Sequence, residues 1–433
     1  MTSESLVLLL LAIIVGLGSL LGAPAAQPAP ELSPIESETW FLATVQATSA
    51  PLYEPDGETV AATVPQGDPL LVLEADAEQL RVRTIYGTEG FVPRYLVRLH
   101  AAPRLGGDFR VLGYYMDEGT GAARASLERA AGTLTGVVPW SWGVTASGSL
   151  RPVYVQEQRL GQVLAAAGRE GLKTYVLIHN FNPDLGAFDP ALADAVLGNA
   201  EVRARLVASI IDAAVRWDVA GVHVDFEGVR PARRNDLTAF AAELAAAARA
   251  WGLEVSLAVP AKTAATAHGA WGAAYDYASL AAHADFLVIM AYDQHWRGDV
   301  AGPIAALPWV RAVIEYALDP AGGGVPARKL VLGIPVYGYD WPASGWADAV
   351  TFAEAMERLQ QAGRLGGPAK LQWHAEYAAP HFAYGGRTVW FENEHSAAFK
   401  LLLAAEYDLA GVAFWRLGQE DGRIWDLIRR LKS

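Results

Sequence analysis

Apolar runs alternate with amphipathic segments through the larger, C-terminal part of the chain. Segments such as residues 201–217 and 235–251 carry apolar side chains at helical spacing. Between such segments stand eight runs rich in β-branched and aromatic residues, FRVLGYY, GVVPWSW, KTYVLIHNF, GVHVDFE, EVSLAVP, DFLVIMAYD, KLVLGIP and GVAFW, which start at Phe109, Gly136, Lys173, Gly221, Glu254, Asp285, Lys329 and Gly411. These eight β-then-α repeats predict an α/β protein, a (β/α)8 TIM barrel over residues 109–433.

The gap between the seventh and eighth runs is too long for one loop and one helix. It holds a helical pattern near residues 351–362 and short β-rich pieces near residues 370–374 and 387–390. We interpret this gap, about residues 340–395, as a small α+β insertion between strands 7 and 8 at the barrel mouth. A doubly wound open sheet is the alternative, but no Gly-rich phosphate loop follows the first run, as such a sheet would favour.

The first 99 residues follow a different pattern. Residues 6–21 are an unbroken apolar run with Ala23 and Ala25 just beyond it, which is typical of a signal peptide over residues 1–26. The first basic side chain is Arg81, so an uncleaved membrane anchor is the alternative, because the leader lacks the usual positive flank. Either interpretation places the rest of the protein outside the membrane, secreted or in the cell envelope. A Pro/Ala-rich linker is predicted at residues 27–38.

Short β-rich pieces fill residues 39–99. They lie at residues 41–46, 70–74, 80–85 and 90–93, and turn signals such as Pro55-Asp56-Gly57 separate them. This pattern predicts a small all-β barrel before the large domain. Pro103 and the Gly106-Gly107 pair indicate a linker at residues 100–108.

Composition narrows the classes of function. The chain is 52% hydrophobic and 19% charged, which is enough apolar material for a large core. Its formal net charge of -13, without a basic cluster, argues against a nucleic-acid partner. The absence of cysteine excludes disulfides, thiol nucleophiles and thiolate metal sites.

Three ionisable side chains alternate along the fourth run, GVHVDFEG at residues 221–228. Because successive side chains of a strand point to opposite faces, His223, Asp225 and Glu227 share the face that points into the barrel. Burying three such groups is costly, and Glu227 stands last, at the carboxyl end where barrel enzymes hold their active sites. We therefore predict a catalytic strand, with a buried polar network that only holds the strand as the alternative.

This strand resembles the signature of glycoside hydrolase family 18, Asp-Gly-x-Asp-x-Asp-x-Glu. The segment MAYD at residues 290–293 is similar to the Met-x-Tyr-Asp strand of that family, and GIPVYG at residues 333–338 is similar to its Gly-x-Pro-x-Tyr-Gly strand. Trp415 stands on the last run, where the family has a Trp under the bound sugar. The resemblance covers residues 109–431, and the stretch from Val389 looks most like the spore-germination and cortex-lytic branch.

The resemblance implies a substrate-assisted mechanism, the family's exception to the rule of two catalytic carboxylates. Glu227 would be the general acid, and Asp225 would orient the acetamido group, whose oxygen attacks the anomeric carbon. Tyr292 would hydrogen-bond the acetamido carbonyl. No metal and no cofactor take part, since water completes the reaction. We further expect substrate contacts from residues at strand ends, namely Trp415, Asp293, Met290, Tyr337, Tyr114 and His223.

Two positions depart from the family pattern. Ala220 replaces the first Asp of the signature and His223 replaces the next. Histidine is titratable, so a cationic His223 beside Asp225 would lower the pKa of that carboxyl. The hypothesis that follows is a shifted pH optimum for which His223 is responsible. The neighbouring pair His179 and Asn180, at the end of the third run, is expected to close a loop rather than to bind substrate.

The small β domain resembles the bacterial SH3 domain, mainly through VRTIYGTEGFVPRYLV, which ends at Val97. The resemblance implies docking of a cell-wall peptide, and a spacer without a ligand is the alternative. The overall prediction is an exported glycosidase acting on β-1,4-linked N-acetylglucosamine glycan, as in peptidoglycan or chitin, by a retaining mechanism. A catalytically weak, lectin-like glycan-binding protein on the same fold is the alternative. The expected partners are this polysaccharide and the wall peptide, with no nucleic acid and with a membrane only through an uncleaved residues 6–21.

Overall fold

The structure is a computed structural model that describes residues 40–101, 105–154, 156–265, 269–364 and 369–432. The predicted signal peptide or anchor at residues 1–26, with its apolar run, and the predicted linker at residues 27–38 lie outside the described residues. Across the described ranges, no helix has both the length and the apolar character needed to cross a bilayer.

A seven-stranded antiparallel sheet forms the N-terminal part. Its strands are β1 (Trp40–Val45), β2 (Ser49–Tyr53), β3 (Val60–Pro65), β4 (Pro69–Ala75), β5 (Gln79–Thr84), β6 (Glu89–Pro93) and β7 (Val97–Ala101). They pair in the order β3-β2-β6-β5-β4-β1-β7 around an apolar core that includes Leu52, Leu70 and Val82. The small all-β domain is confirmed, although β2, β3 and β7 were not predicted, because their alanines, prolines and polar residues weaken the β pattern. β7 also includes His100 and Ala101, which were predicted as linker.

Eight parallel strands form the closed barrel that the hydrophobic pattern predicted. The strands before the insertion are β8 (Arg110–Met116), β9 (Gly136–Trp140), β10 (Trp142–Val144), β11 (Leu150–Pro152), β12 (Lys173–His179), β13 (Phe181–Asn182), β14 (Ala187–Phe188), β15 (Gly221–Asp225), β16 (Glu254–Pro260), β17 (Phe286–Met290) and β18 (Leu330–Pro335), and the strand after it is β24 (Gly411–Trp415). The barrel runs β8-β9-β12-β15-β16-β17-β18-β24, and β24 pairs with β8 to close the ring. Strands β10, β11, β13 and β14 extend its mouth.

Helices surround the barrel. They are α1 (Ala122–Ala130), α2 (Glu157–Arg169), α3 (Pro190–Leu197), α4 (Ala200–Arg216), α5 (Arg234–Arg249), α6 (Gly269–Gly272), α7 (Tyr277–His283), α8 (Leu307–Leu318), α9 (Phe352–Arg364), α10 (Glu394–Glu406) and α11 (Ile424–Lys432), with short 3-10 helices at Arg94–Leu96, Pro231–Arg233 and Ala327–Lys329. Side chains from the outer faces of the strands join the helices in one apolar cluster, whereas Val138, Leu177 and Val288 belong to a second cluster. The first cluster joins the helices to the outside of the barrel, and the second fills its interior, which is a packed core.

The insertion between β18 and β24 is an α+β unit, as predicted. Its strands are β19 (Tyr337–Trp341), β20 (Asp348–Thr351), β21 (Gln372–His374), β22 (Ala379–Tyr384) and β23 (Arg387–Phe391), in the order β20-β19-β23-β22-β21. Helix α9 packs on this antiparallel sheet. The fully buried Asp340 accepts hydrogen bonds from Arg387 Nε at 2.8 Å and Tyr384 Oη at 2.6 Å and also pairs with Arg358, so its charge is compensated on several sides.

The N-terminal sheet packs against the barrel and its insertion. Arg83 of β5 pairs with the buried Glu394 at 3.1 Å, and His395 Nε2 donates a hydrogen bond to the Arg83 carbonyl at 3.0 Å. Burial lowers the pKa of His395 to about 4, so its ring is neutral at pH 7. The Tyr86 hydroxyl donates to Leu371 O of the insertion at 3.1 Å. The start of α10, part of the stretch that resembles the cortex-lytic branch, is therefore covered by the small domain.

Candidate active site

A cleft of about 750 Å³ opens at the carboxyl ends of the barrel strands. It is lined by acidic and aromatic side chains from most of the strand ends, including the predicted site residues Tyr114, Asp225, Glu227, Met290, Tyr292, Asp293 and Trp415. The predicted His223 and Tyr337 lie behind this lining. A barrel mouth with convergent polar groups among aromatic walls has the composition of a ligand site.

The alternation predicted along β15 is present. Phe226 stacks on Phe240 of α5 with ring centroids 5.5 Å apart, and Val222 and Val224 join the same outer apolar cluster. Asp225 and Glu227 line the cleft. The two-residue period of the strand therefore brings both carboxyl groups to one side of the mouth.

The two carboxyl groups are held in an environment that favours their protonated forms. Burial raises the pKa of Asp225 above its usual value, and the neighbouring Trp140 indole acts in the opposite direction. Burial, together with the charges of Asp225 and Asp293, raises the pKa of Glu227 still further above the ordinary glutamate range. Asp225 Oδ1 is buried and has no hydrogen-bond partner among the described residues. The pair can thus hold a proton at neutral pH and offers a free acceptor atom to a ligand.

The segment after the sixth barrel strand and the first strand of the insertion supply the tyrosine side of the site. Asp293, with a φ of +55°, follows β17 and accepts hydrogen bonds from Tyr337 at 2.5 Å and Tyr339 at 2.9 Å. Burial raises the pKa of Tyr292 well above its usual value, so its hydroxyl stays protonated and can donate. Gly333 faces Tyr292, and a Cβ there would stand 3.0 Å from the tyrosine ring and 2.6 Å from Ile289 O. Glycine at this position therefore makes room for Tyr292.

Trp415 ends β24 at the floor of the cleft, in edge contact with Tyr114 of β8. Their ring centroids are 5.2 Å apart at an interplanar angle of 65°. Tyr115, the next residue on β8, points the other way into the outer cluster of helices and strands. The first strand therefore contributes Tyr114 to the cleft, and the parity of the strand decides which of the two tyrosines does so.

His223 is a buried neutral residue that does not face the cleft. Its Nε2 is 2.8 Å from the Tyr114 hydroxyl, and its Nδ1 is 2.8 Å from Ser256 Oγ. Both ring nitrogens are therefore occupied, and burial lowers the pKa of His223 to about 3. The expectation of a cationic His223 beside Asp225 is wrong, because burial disfavours the charged form of the imidazole. Its substrate contact stays a prediction, and in the structure its ring contacts Tyr114 and Ser256.

We expect the pH–rate profile of a His223→Asn variant to keep both its limbs between pH 5 and pH 9. A group with a folded-state pKa of about 3 is neutral throughout this range, so its removal changes no charge. The measurement is kcat/KM against pH for the parent and the variant. A displaced limb in the variant would show that His223 titrates during catalysis, as the sequence had suggested.

Several residues of the cleft were not predicted. Trp140 at the end of β9, together with Tyr154, Phe181 and Trp271 in the segments that follow three of the barrel strands, lines its walls. A cluster of aromatic residues after strand ends is the signal that would have found them, because loops at that end of a barrel build the site. No group of three or more His, Asp or Glu side chains in the described ranges is arranged to hold a metal ion.

The fold and the cleft together indicate a class of protein. A closed (β/α)8 barrel that places buried, protonatable carboxyl groups and aromatic rings at the carboxyl ends of its strands has the arrangement of a barrel enzyme. The family model of glycosyl hydrolases family 18 matches residues 167–420. This chain belongs to that family, and it is a glycoside hydrolase.

Known relatives agree with the branch suggested by the sequence. The chain is 33% identical over 269 residues to a cortical fragment-lytic enzyme of Bacillus subtilis, an alignment that covers 60% of each protein. It is 35% identical over 241 residues to the putative sporulation-specific glycosylase YdhD of the same organism, covering 54% of this chain and 55% of that protein. The alignments thus span little more than half of these relatives. A chitinase from Chromobacterium violaceum, known from its crystal structure, is 29% identical with a TM-score of 0.68, covering 75% of this chain and 98% of that one.

The resemblance to the cortex-lytic branch is confirmed by these relatives. The likeness of residues 39–99 to the SH3 domain stays a prediction, as do the domain boundaries and the roles of individual site residues.

Proposed function

We propose that this glycoside hydrolase cleaves β-1,4-linked N-acetylglucosamine glycans with net retention, using the acetamido group of the substrate as nucleophile and Glu227 as general acid. The observation that carries the proposal is the position of Asp225 and Glu227, two residues apart on one side of the cleft. Glycosidases with two catalytic carboxylates place them on either side of the scissile bond. Asp293, the other carboxylate of the cleft lining, is engaged by two tyrosine hydroxyls. A nucleophile from the substrate itself is therefore favoured.

The protonation states and free acceptor atoms of the site residues support this mechanism. Glu227 is protonated near neutral pH and gives its proton to the glycosidic oxygen as the bond to the anomeric carbon breaks. The acetamido oxygen attacks that carbon, Asp225 Oδ1 accepts the acetamido N–H, and the Tyr292 hydroxyl donates to the acetamido carbonyl. The Glu227 carboxylate then takes a proton from the water that opens the oxazolinium ion. Each step uses a group whose burial or missing partner suits it for that task.

The aromatic lining supports a sugar chain as the substrate. Trp296 lines the cleft and is in edge contact with the exposed Trp346 of the insertion, with ring centroids 5.2 Å apart. Tyr154 is exposed at another part of the cleft lining. Apolar ring faces with free edges suit pyranose rings, which present C–H groups on one face. We propose that the glycan extends beyond the catalytic residues over Trp346, in peptidoglycan or chitin alike.

We expect Trp346→Ala to raise KM on a polymeric glycan by up to about tenfold, which corresponds to ~1.4 kcal/mol, and to leave KM on a disaccharide glycoside unchanged. The physical reason is that only a long chain reaches the insertion. Initial rates on soluble polymer and on the short glycoside check this. Trp251→Ala is the matched control, because Trp251 is similarly exposed but stands outside the cleft, at the end of α5. Equal KM on the polymer for both variants would contradict a role of Trp346.

The cellular setting is part of the proposal. We propose that the enzyme acts outside the cytoplasmic membrane, and that residues 39–99 dock on wall peptides near the glycan. The similarity to a cortical fragment-lytic enzyme supports peptidoglycan as the polymer, and the similarity to a chitinase supports chitin. The second candidate is a catalytically weak, lectin-like member of the family, since Ala220 and His223 depart from the family signature.

The test is product identification by mass spectrometry after incubation of the purified protein with peptidoglycan and, separately, with N-acetylglucosamine oligomers. We expect fragments with reducing N-acetylglucosamine ends, and a β-anomer in the first minutes of a proton NMR time course. The Glu227→Gln variant should yield neither. Initial release of the α-anomer would contradict retention, and binding of both glycans without cleavage would favour the lectin-like alternative.

A further inference from the structure

The backbone of Glu227 lies beyond the sheet that carries it. Strand β15 ends at Asp225, and the last ladder pairs on its two sides are His179 with Asp225 and Val224 with Leu257. Gly228 follows with a φ of +65°, so the chain turns away directly after Glu227. No hydrogen bond joins the Glu227 carboxyl group to the described residues. Neither the hydrogen bonds of the sheet nor contacts of its own carboxyl group fix the orientation of Glu227. Other contacts must therefore set it.

Asn180 makes those contacts. Glu227 N donates to Asn180 Oδ1 at 2.9 Å, and Asn180 Nδ2 donates to Glu227 O at 2.8 Å. One amide side chain thus bonds both polar groups of the same backbone residue, as a neighbouring strand would. Asn180 is itself fully buried and is held in place by Asp189, whose carbonyl accepts from Asn180 Nδ2 at 3.0 Å and whose N–H donates to Asn180 O at 2.9 Å.

A second side chain holds the preceding peptide. The Tyr275 hydroxyl donates to Phe226 O at 2.6 Å, and Tyr275 is buried. The carbonyl of Tyr275 in turn accepts from Lys262 Nζ at 2.7 Å. The peptide groups on both sides of the Glu227 Cα are therefore bonded by side chains from two other strand-end loops.

We propose that Asn180 and Tyr275 are positioning residues that aim the Glu227 carboxyl group at the glycosidic oxygen. This inference rests on the proposed function, in which Glu227 protonates the leaving group. It reverses the expectation that Asn180 only closes its own loop. Proton transfer needs the donor within hydrogen-bond reach of the oxygen, and misplacement by about 1 Å costs about 10²-fold in rate.

The test uses two substrates with the same N-acetylglucosamine oligomer as glycone and different leaving groups, either a sugar or 4-nitrophenol. A sugar alkoxide leaves only with a proton, whereas nitrophenolate leaves without one. We expect Asn180→Ala to lose about 10²-fold in kcat/KM on the sugar leaving group and less than about threefold on nitrophenol. This ratio reports only the steps up to departure of the leaving group, so the later opening of the oxazolinium ion, which also uses Glu227, does not enter it. Tyr275→Phe removes one hydroxyl alone and should show the same selectivity at smaller amplitude. If Asn180→Ala does not fold, Tyr275→Phe still tests the proposal.

Two control variants distinguish a loss of Glu227 positioning from an unspecific loss of activity. Tyr175→Phe removes a hydroxyl that donates to Glu254 at 2.7 Å, near the amino ends of β12 and β16, from an equally buried tyrosine. Asn199→Ala removes an amide that caps α4 on the outside. Both should affect the two substrates alike. Equal losses on both substrates for Asn180→Ala and Tyr275→Phe would overturn the positioning role. Equal losses for Glu227→Gln would instead overturn the proposed role of Glu227, so the two failures are distinguishable.

Discussion

Glu227→Gln is expected to lower kcat on N-acetylglucosamine oligomers by about 10²–10⁴-fold, the range that a positioned general acid contributes. Gln has nearly the shape of Glu but cannot give up a proton to the glycosidic oxygen. Burial and neighbouring carboxylates raise the pKa of Glu227, which favours its protonated form in the parent enzyme. KM should change little, since the loss falls on the transition state rather than on binding.

Steady-state rates across pH 4 to pH 10 are the measurement. The alkaline limb of the parent profile reports loss of the Glu227 proton, and it should be missing from the variant. Glu406→Gln is the control, because Glu406 forms an exposed pair with Arg311 on the outside of the barrel and should leave kcat unchanged. A Glu227→Gln enzyme within threefold of the parent on sugar leaving groups would require another proton donor.

Lys400→Met is expected to lower the free energy of unfolding by about 3–5 kcal/mol, which is the cost of removing one partner of a buried ion pair. Lys400 Nζ is 2.7 Å from Glu392 Oε2, and both side chains are only 1% exposed. Glu392 Oε1 has no other partner among the described residues. The variant would leave a buried carboxylate without a counter-charge beneath α10.

The loss of unfolding free energy in Lys400→Met should be larger at high pH than at low pH. Burial raises the pKa of Glu392 and Lys400 opposes the rise, so the variant raises this pKa further above the unfolded value. A raised folded-state pKa contributes stability that is complete below the unfolded pKa and is lost as pH rises from that value through the folded pKa. Urea unfolding at pH 5 and pH 8 should therefore show the larger loss at pH 8. Adding Glu392→Gln should recover much of it, and a Lys400→Met effect as small as that of the exposed pair in Glu406→Gln would contradict the argument.

The local pattern of the sequence was sufficient for the architecture. Eight β-rich runs with amphipathic helices between them predicted the barrel, because strand and helix periods depend on neighbouring residues alone. The oversized gap before Gly411 likewise predicted the insertion. The same two-residue period put Asp225 and Glu227 on one inner face, where the structure has them. Strands β2 and β3 were not predicted because their alanine and proline residues carry little β signal. They pair with each other, and β2 also pairs with the more distant β6.

What the sequence determined is therefore the barrel, its insertion, the face of β15 and the identity of the acidic pair. Only the tertiary structure decided the charge and the hydrogen-bond partners of the side chains in and around the site. His223 is neutral because Tyr114, 109 positions away, and Ser256, 33 positions away, occupy its ring and exclude water. Asn180 binds the backbone of Glu227 from 47 positions away. Desolvation and hydrogen bonding are set by residues that are close in space and remote along the chain, and no local period encodes them.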